Sequence, residues 1–346
     1  MTTCFGKALK FWLGAAGSLA LSISVACAED KVIELKLSDW VPASHPLNKS
    51  LEEWGASVEK ASNGTIKYKM YPAQQLGKAF DHYDMARDGI ADLTFVSPGY
   101  QPGRFPIIGA GDLPFMIRDA KGAARAFAEW YPKYAATEMK DVKLCFAFAQ
   151  EPGTFHSRDK KIVVPEDLKG MKIRPGHATM ARLVASLGGT NVQAAAPEVR
   201  DVLEKGVVDG VNFPWNSVVL FGIDKVTKYH MDVPFYSTGL VWVMNKAVYE
   251  SMSAAQKKVI DDHCNPDWSV RVTGPWSEFE HAGVAIIKGE AGHESYPLTD
   301  NQLAQWKKAG ATLVADWHAS VKKAGVDSEA ALKDLQDLLT KYDAAF

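Results

Sequence analysis

An arginine ends a short apolar run in Asp167-Leu168-Lys169-Gly170-Met171-Lys172-Ile173-Arg174-Pro175-Gly176, just ahead of a helical stretch that starts near His177. Open α/β sheets take their ligands at the carboxyl ends of strands. A guanidinium there presents two parallel N–H donors at carboxylate spacing and stays charged at any working pH, so it suits a desolvated acid better than lysine does. Taken alone, the segment reads slightly better as a surface charge or an internal salt bridge. Catalytic signatures are missing: there is no G-x-S-x-G elbow, no P-loop and no H-E-x-x-H, and the nine histidines are scattered without metal-ligand spacing. His45, His156 and His177 fall near strand ends, where a cleft would place them, although a single histidine is more often structural. The chain reads as a non-enzyme with no metal and no cofactor.

The elements that must hold this arginine follow from periodicity. Val32 to Leu37 alternates like a strand, helical spacing runs from Leu47 to Ala61, and Asn63-Gly64 stops it before a strand from Thr65 to Tyr71. A helix from about Ala79 to Arg87 ends at Gly89, and Ala91 to Val96 continues as a strand. This order predicts an α/β fold with mainly parallel pairing, because each crossover helix returns the chain to the same edge. Farther on, Lys161 to Val164 reads as a short strand, Pro165 to Leu168 as a helical turn, Met171 to Arg174 as a strand and His177 to Leu187 as a helix.

Arg87-Asp88-Gly89-Ile90-Ala91-Asp92-Leu93-Thr94-Phe95 has an echo in Glu204-Lys205-Gly206-Val207-Val208-Asp209-Gly210-Val211-Asn212-Phe213. Each is a helix end, a glycine, two small or apolar residues, an aspartate and a strand. A Gly-x-x-Asp spacing is weak by itself; the surrounding order favours two lobes on one plan. Thr238 to Asn245 is strand-like, and Ser253 to Gly289 is helical with a break or bend expected at Pro266 and at Gly274-Pro275. Thr299 to Ala345 has the periodicity of a packing helix pair.

Residues 1–28 read as a secretory signal, with Lys7 and Lys10 ahead of the uncharged stretch Phe11 to Val25 and small residues at Ala26-Cys27-Ala28. A lipoprotein box acylating Cys27 is the minor alternative. Loss of two lysines moves the formal charge from −2 to −2 − 2 = −4, which disfavours nucleic acid as a partner. The remaining 346 − 28 = 318 residues exceed a usual single core and suggest two lobes with a cleft. Cys145 and Cys264 are then the cysteines left. An exported protein allows their disulfide, but the apolar run Val142 to Ala149 favours Cys145 as a small core residue.

At this point the sequence resembles the periplasmic solute-binding subunits of tripartite ATP-independent periplasmic (TRAP) transporters. The resemblance rests on Pro165 to Arg174, on Ala196-Pro197-Glu198-Val199 followed by Leu203 to Gly210, on Tyr71-Pro72-Ala73-Gln74-Gln75-Leu76-Gly77 and on Val243-Met244-Asn245-Lys246. Together these span nearly the whole mature chain in family order. The resemblance implies a two-lobed type II periplasmic binding protein fold with a long kinked helix bridging both lobes. Residues 29–150 and 238–275 would form the first lobe, and 151–237 and 276–346 the second. It implies closure by hinge motion and delivery of a small organic acid to a small and a large membrane subunit. It also implies that Arg174 pairs with the ligand carboxylate and that Asn212, Phe213 and Trp215 lie at the ligand. Two departures shape the expected ligand. Asn212-Phe213-Pro214-Trp215 stands where the family often has Glu-Asn-Pro, and Gly153-Thr154-Phe155-His156 stands where sialic-acid-type relatives carry a second arginine. A monocarboxylate, aromatic or 2-hydroxy/2-oxo, is expected, with Phe155, Phe213, Trp215, Trp40, Tyr100 and Tyr236 as candidate ring contacts and His156 beside them. Arg104, in the turn-rich segment Ser97 to Pro106, is a secondary charge candidate. An ABC-type or sensory receptor of similar fold, or an enzyme on this fold, are the rival readings.

Overall fold

The computed structural model describes residues 30–346, and the signal and lipoprotein readings of the amino terminus lie outside them. The strands along the chain are β1 (Ile33–Ser38), β2 (Ile66–Tyr71), β3 (Leu93–Val96), β4 (Val142–Ala149), β5 (Thr154–Ser157), β6 (Lys172–Arg174), β7 (Thr190–Asn191), β8 (Gly210–Phe213), β9 (Tyr229–Met231), β10 (Gly239–Asn245) and β11 (Glu294–Tyr296). They form two sheets, β2-β1-β3-β10-β4 and β11-β9-β5-β8-β6-β7. Pairing is parallel wherever a helix makes the crossover, as between β1 and β3 or β6 and β8. It turns antiparallel at β5 and β10, each of which enters its sheet straight from a strand of the other, whereas β11, which returns to the second sheet after the long helix, pairs parallel with β9. The fold is thus the expected two-sheet α/β architecture, with an antiparallel strand inside each sheet.

The sequence echo has a structural cause. Asp92 and Asp209 each precede a strand and clamp the neighbouring parallel strand at a lysine. The Asp92 carboxylate accepts from the Lys36 amide at 2.8 Å while its own amide donates to the Lys36 carbonyl at 2.9 Å. Asp209 does the same with Lys172, at 2.8 and 2.7 Å. Gly89 and Gly206, both at positive φ, end the preceding helices in the left-handed conformation that glycine adopts without steric cost. The clamp registers β6 against β8 and so fixes Arg174, two residues beyond Lys172, at the strand end.

Of the three segments that carry the chain between the sheets, the two short ones, after β4 and after β9, are laced to each other. Gly153 and Tyr236 bridge in antiparallel fashion, Gln150 donates its amide to the Thr238 carbonyl at 3.1 Å, and the Ser237 hydroxyl donates to the Gln150 carbonyl at 2.7 Å. The helix Pro266–Gly289 packs on β4 and the helices Pro46–Ala61 and Ala120–Trp130 beside the first sheet, and on β11 and the helix Trp215–Leu220 beside the second. Pro266 breaks the helical stretch as expected, sitting in the first turn of the new helix, where its missing N–H costs nothing. Pro275 does not interrupt the helix.

Two expectations are corrected. Lys161 to Val164 is not a strand, because side chains take its backbone donors: the Ile162 amide goes to the Tyr296 hydroxyl at 2.8 Å, and the Val163 and Val164 amides go to the Asp167 carboxylate at 2.8 and 3.0 Å. Cys145 is not a lone core thiol. It forms a disulfide with Cys264, tying β4 to the residue after the helix Ala254–His263.

Candidate functional site

Arg174 is 2 % exposed, a guanidinium in the protein interior. Its Nε donates to the Ala194 carbonyl at 2.9 Å, Nη1 to the Asn212 carbonyl at 3.3 Å and Nη2 to the Tyr100 hydroxyl at 3.1 Å. All three acceptors are neutral, and among the described residues no carboxylate pairs with it. A guanidinium has five N–H groups; three are spent, which leaves one on each terminal nitrogen to donate to a carboxylate approaching end-on. A buried charge without a counter-ion is costly, so the arrangement calls for an anion from outside the chain.

The cavity beside this guanidinium has a volume of about 40 Å³ and is partly open to solvent. Aromatic rings from both sheets line it. From the first come Trp40, stacked on Phe95 at 4.8 Å with its indole N–H on the Phe95 carbonyl, and Tyr100. From the second come Phe213, whose ring centroid is 5.4 Å from the Arg174 guanidinium carbon, and Phe221, edge-on to Phe213. Tyr236 adds a wall from one crossing segment and Trp276 from the bridging helix. Among the described residues, no aspartate or glutamate lines the cavity. Glu280, buried one layer back, accepts from the Asn216 and Ser217 amides, the Ser217 hydroxyl and Trp276 Nε1, and so fixes two lining residues. Burial pushes its pKa up.

Arg174, Phe213, Trp40, Tyr100 and Tyr236 therefore converge as the sequence suggested, and the remaining candidates lie elsewhere. Alternation along β8 separates Phe213 from Asn212, whose side chain is fully buried away from the cavity while its carbonyl receives Arg174. Trp215 begins a helix and turns edge-on to His156, at 5.3 Å. His156 backs the wall without lining it, bonded to the Phe213 carbonyl at 3.0 Å and to His230 at 2.8 Å. Phe155 packs into the core on Phe235 and Trp306. Arg104 is held bidentately by Asp84, at 3.0 and 2.8 Å, over the Tyr83 ring. Sequence reasoning missed Trp276, Phe221, Ser217 and Gln150 as lining residues; no local motif marks them.

Behind Arg174, His177 caps the helix Ala178–Ser186 by accepting from the Met180 amide on Nδ1, while Nε2 donates to the Ser237 carbonyl at 2.9 Å. Its Nδ1 lies 3.5 Å from buried Asp112. Burial pushes His177 down to about 3 and Asp112 up to about 8, so the pair is neutral, with the acid proton on Asp112, and is not an ion pair.

Residues 37–320 match the bacterial extracellular solute-binding protein family 7 over most of the chain. This chain belongs to that family. Among family 7 structures it is similar to a TRAP solute-binding protein from a marine metagenome, specific for aromatic acid ligands and solved with metahydroxyphenylacetate and with 3-hydroxybenzoate. The two are 35 % identical with a TM-score of 0.83, over 90 % of this chain and 99 % of the other. A TRAP solute-binding protein from Rhodoferax ferrireducens, solved with copurified benzoate, is 28 % identical at TM-score 0.83, over 90 % and 99 % of the two chains. One from Bordetella bronchiseptica, solved with both enantiomers of mandelate, is 27 % identical at TM-score 0.84, over 89 % and 99 %. The family 7 chain described here is thus a TRAP-type solute-binding protein by both sequence and fold.

Proposed function

We propose that this protein captures an aromatic monocarboxylate in the periplasm, clamps its carboxylate on Arg174 and delivers it to the small and large membrane subunits of a TRAP transporter. The observation that carries the reading is the buried Arg174, its partners all neutral and one N–H free on each terminal nitrogen, facing a cavity walled by Trp40, Phe213, Phe221, Tyr236 and Trp276. One guanidinium balances one carboxylate. The aromatic wall offers a second acid or a polyhydroxylated ring no charged partner. The ligands of the similar proteins, benzoate, 3-hydroxybenzoate and mandelate, point the same way. The two lobes close by hinging at the laced crossing segments near Gln150 and Thr238. A thermal-shift screen tests the reading. Ligand at 100 times its Kd stabilises the native state by about 2.7 kcal/mol. Benzoate, 3-hydroxybenzoate or mandelate raises Tm, whereas succinate and glucuronate leave it unchanged; the reverse pattern contradicts the proposal.

A further inference from the structure

His45 stands between β1 and the helix Pro46–Ala61 and caps that helix, its Nδ1 accepting from the Leu47 amide at 3.2 Å. An Nδ1 that accepts carries no proton, so the neutral ring holds its proton on Nε2. The ring is 1 % exposed and lines the same cavity as Arg174, yet Nε2 makes no hydrogen bond to any described residue. Burial pushes the imidazole down to about 3, so it stays neutral throughout the physiological range. It is a fixed donor, unable to act as an acceptor without giving up its cap.

The ring is held in place. It meets Trp276 edge-on at 5.1 Å, and Trp276 is itself anchored by Nε1 on Glu280 at 2.8 Å. Ring contacts run from Tyr100, which touches Arg174, to Trp40, to Phe95 and Trp276, and reach His45 last. Arg174 spends its hydrogen bonds and ring contacts on Ala194, Asn212, Tyr100 and Phe213, so among the described residues none of them goes to His45, and the two groups line the cavity as separate contacts. Nε2 opens on the cavity, and a hydrocarbon ring bound over it would bury the donor without an acceptor, which is penalised. A ligand oxygen at that point relieves the penalty, and a site built for such a bond rejects the analogue that lacks it. A second carboxylate does not fit, because a neutral imidazole leaves its charge unbalanced and no other cation lines the cavity.

We propose that His45 is a specificity-determining residue, donating Nε2–H to an uncharged oxygen of the ligand, so that the preferred solute is an oxygenated aromatic acid bearing a ring hydroxyl or a 2-hydroxy or 2-oxo group. This rests on the aromatic-monocarboxylate reading above and deepens it.

The test is titration calorimetry of the mature protein with benzoate and phenylacetate, and with their oxygenated counterparts: the three hydroxybenzoates, mandelate and phenylglyoxylate. At least one oxygenated acid binds about 10-fold or more tightly than its parent, the effect of one well-placed hydrogen bond. His45→Asn keeps a side-chain oxygen to cap the helix and withdraws the donor from the cavity. In that variant the preference falls to within about 3-fold, the parent acid binding at least as tightly as it binds the native protein because the donor it left unpaired is gone. His45→Phe, which removes both groups, gives the same loss of preference. Three outcomes overturn the proposal: parents and oxygenated acids binding the native protein equally well, a preference that survives in His45→Asn, or equal weakening of both classes by that variant. Failure of every aromatic acid to bind would instead overturn the aromatic reading itself, and this inference with it.

Discussion

The Tyr100 hydroxyl oxygen lies 3.1 Å from Arg174 Nη2 and 3.1 Å from the Ala196 amide nitrogen, so a loop after β3 is tied to the strand end of the second sheet. Both contacts are N–H groups donating to the same oxygen, so the phenolic proton has to be given elsewhere, and the cavity is where Tyr100 opens. A carboxylate on Arg174 would receive it. Tyr100→Phe leaves Arg174 and the Ala196 amide each one acceptor short. It should weaken acid binding by about 1 to 3 kcal/mol, read as Kd by calorimetry. An unchanged Kd would show that the hydroxyl has no part in the clamp.

Gly176 gives a steric test. A Cβ built there would stand 2.7 Å from the Tyr236 ring, which is 2 % exposed and boxed in. Gly176→Ala should cost about 1 to 3 kcal/mol of ligand affinity through overpacking across the closed cleft. Binding at native affinity would mean that the ring yields freely.

Asp112 links stability to pH. Its pKa is raised by burial from the ordinary 3.8 to about 8. Below the ordinary value both folded and unfolded chains hold the proton. Between about pH 4 and pH 8 only the folded chain does, so this residue's contribution to stability falls as pH rises through that window. Asp112→Asn keeps an acceptor for the Gly239 amide and a donor toward His177 without the charge. Its melting temperature relative to the native protein should therefore rise steadily from pH 4 to pH 8. A difference that does not change with pH would contradict the shifted acid.

The disulfide is a fourth kind of test. Cys145 and Cys264 are 119 residues apart in sequence, so their bond closes a long loop. Reduction, or Cys145→Ser with Cys264→Ser, should lower unfolding stability by about 2 to 4 kcal/mol while leaving ligand affinity intact. Loss of affinity in the reduced protein would place the bond in the binding machinery instead.

Much of this was legible in the chain because it is encoded locally. The Gly-x-x-Asp echo was readable because each aspartate clamps the next strand, whereas Arg174, at a strand end that alone reads better as a surface charge, was readable through the resemblance to TRAP solute-binding subunits. Phe213 was legible for the same reason, while its neighbours Asn212 and Trp215 were not separable from it until β8 and the following helix fixed which side each takes. Trp276 reaches the cavity from a helix 102 positions beyond Arg174, and only tertiary packing brings it there. Arg104 could be read either as a second charge or as a loop anchor, because nothing in its own loop announces Asp84, twenty residues earlier. The cysteine pair was obscured similarly, since Cys145 does sit in an apolar strand.

The central claim is that Arg174 holds the ligand carboxylate, and the most direct measurement is calorimetric titration of native, Arg174→Lys and Arg174→Ala proteins with an aromatic acid that binds the native form. Removing one partner of a buried charge pair costs about 2 to 5 kcal/mol, so the alanine variant should bind at least about 30-fold more weakly, or not detectably. The lysine variant should fall between, keeping charge and losing the paired donors. An alanine variant that binds like the native protein would contradict the account.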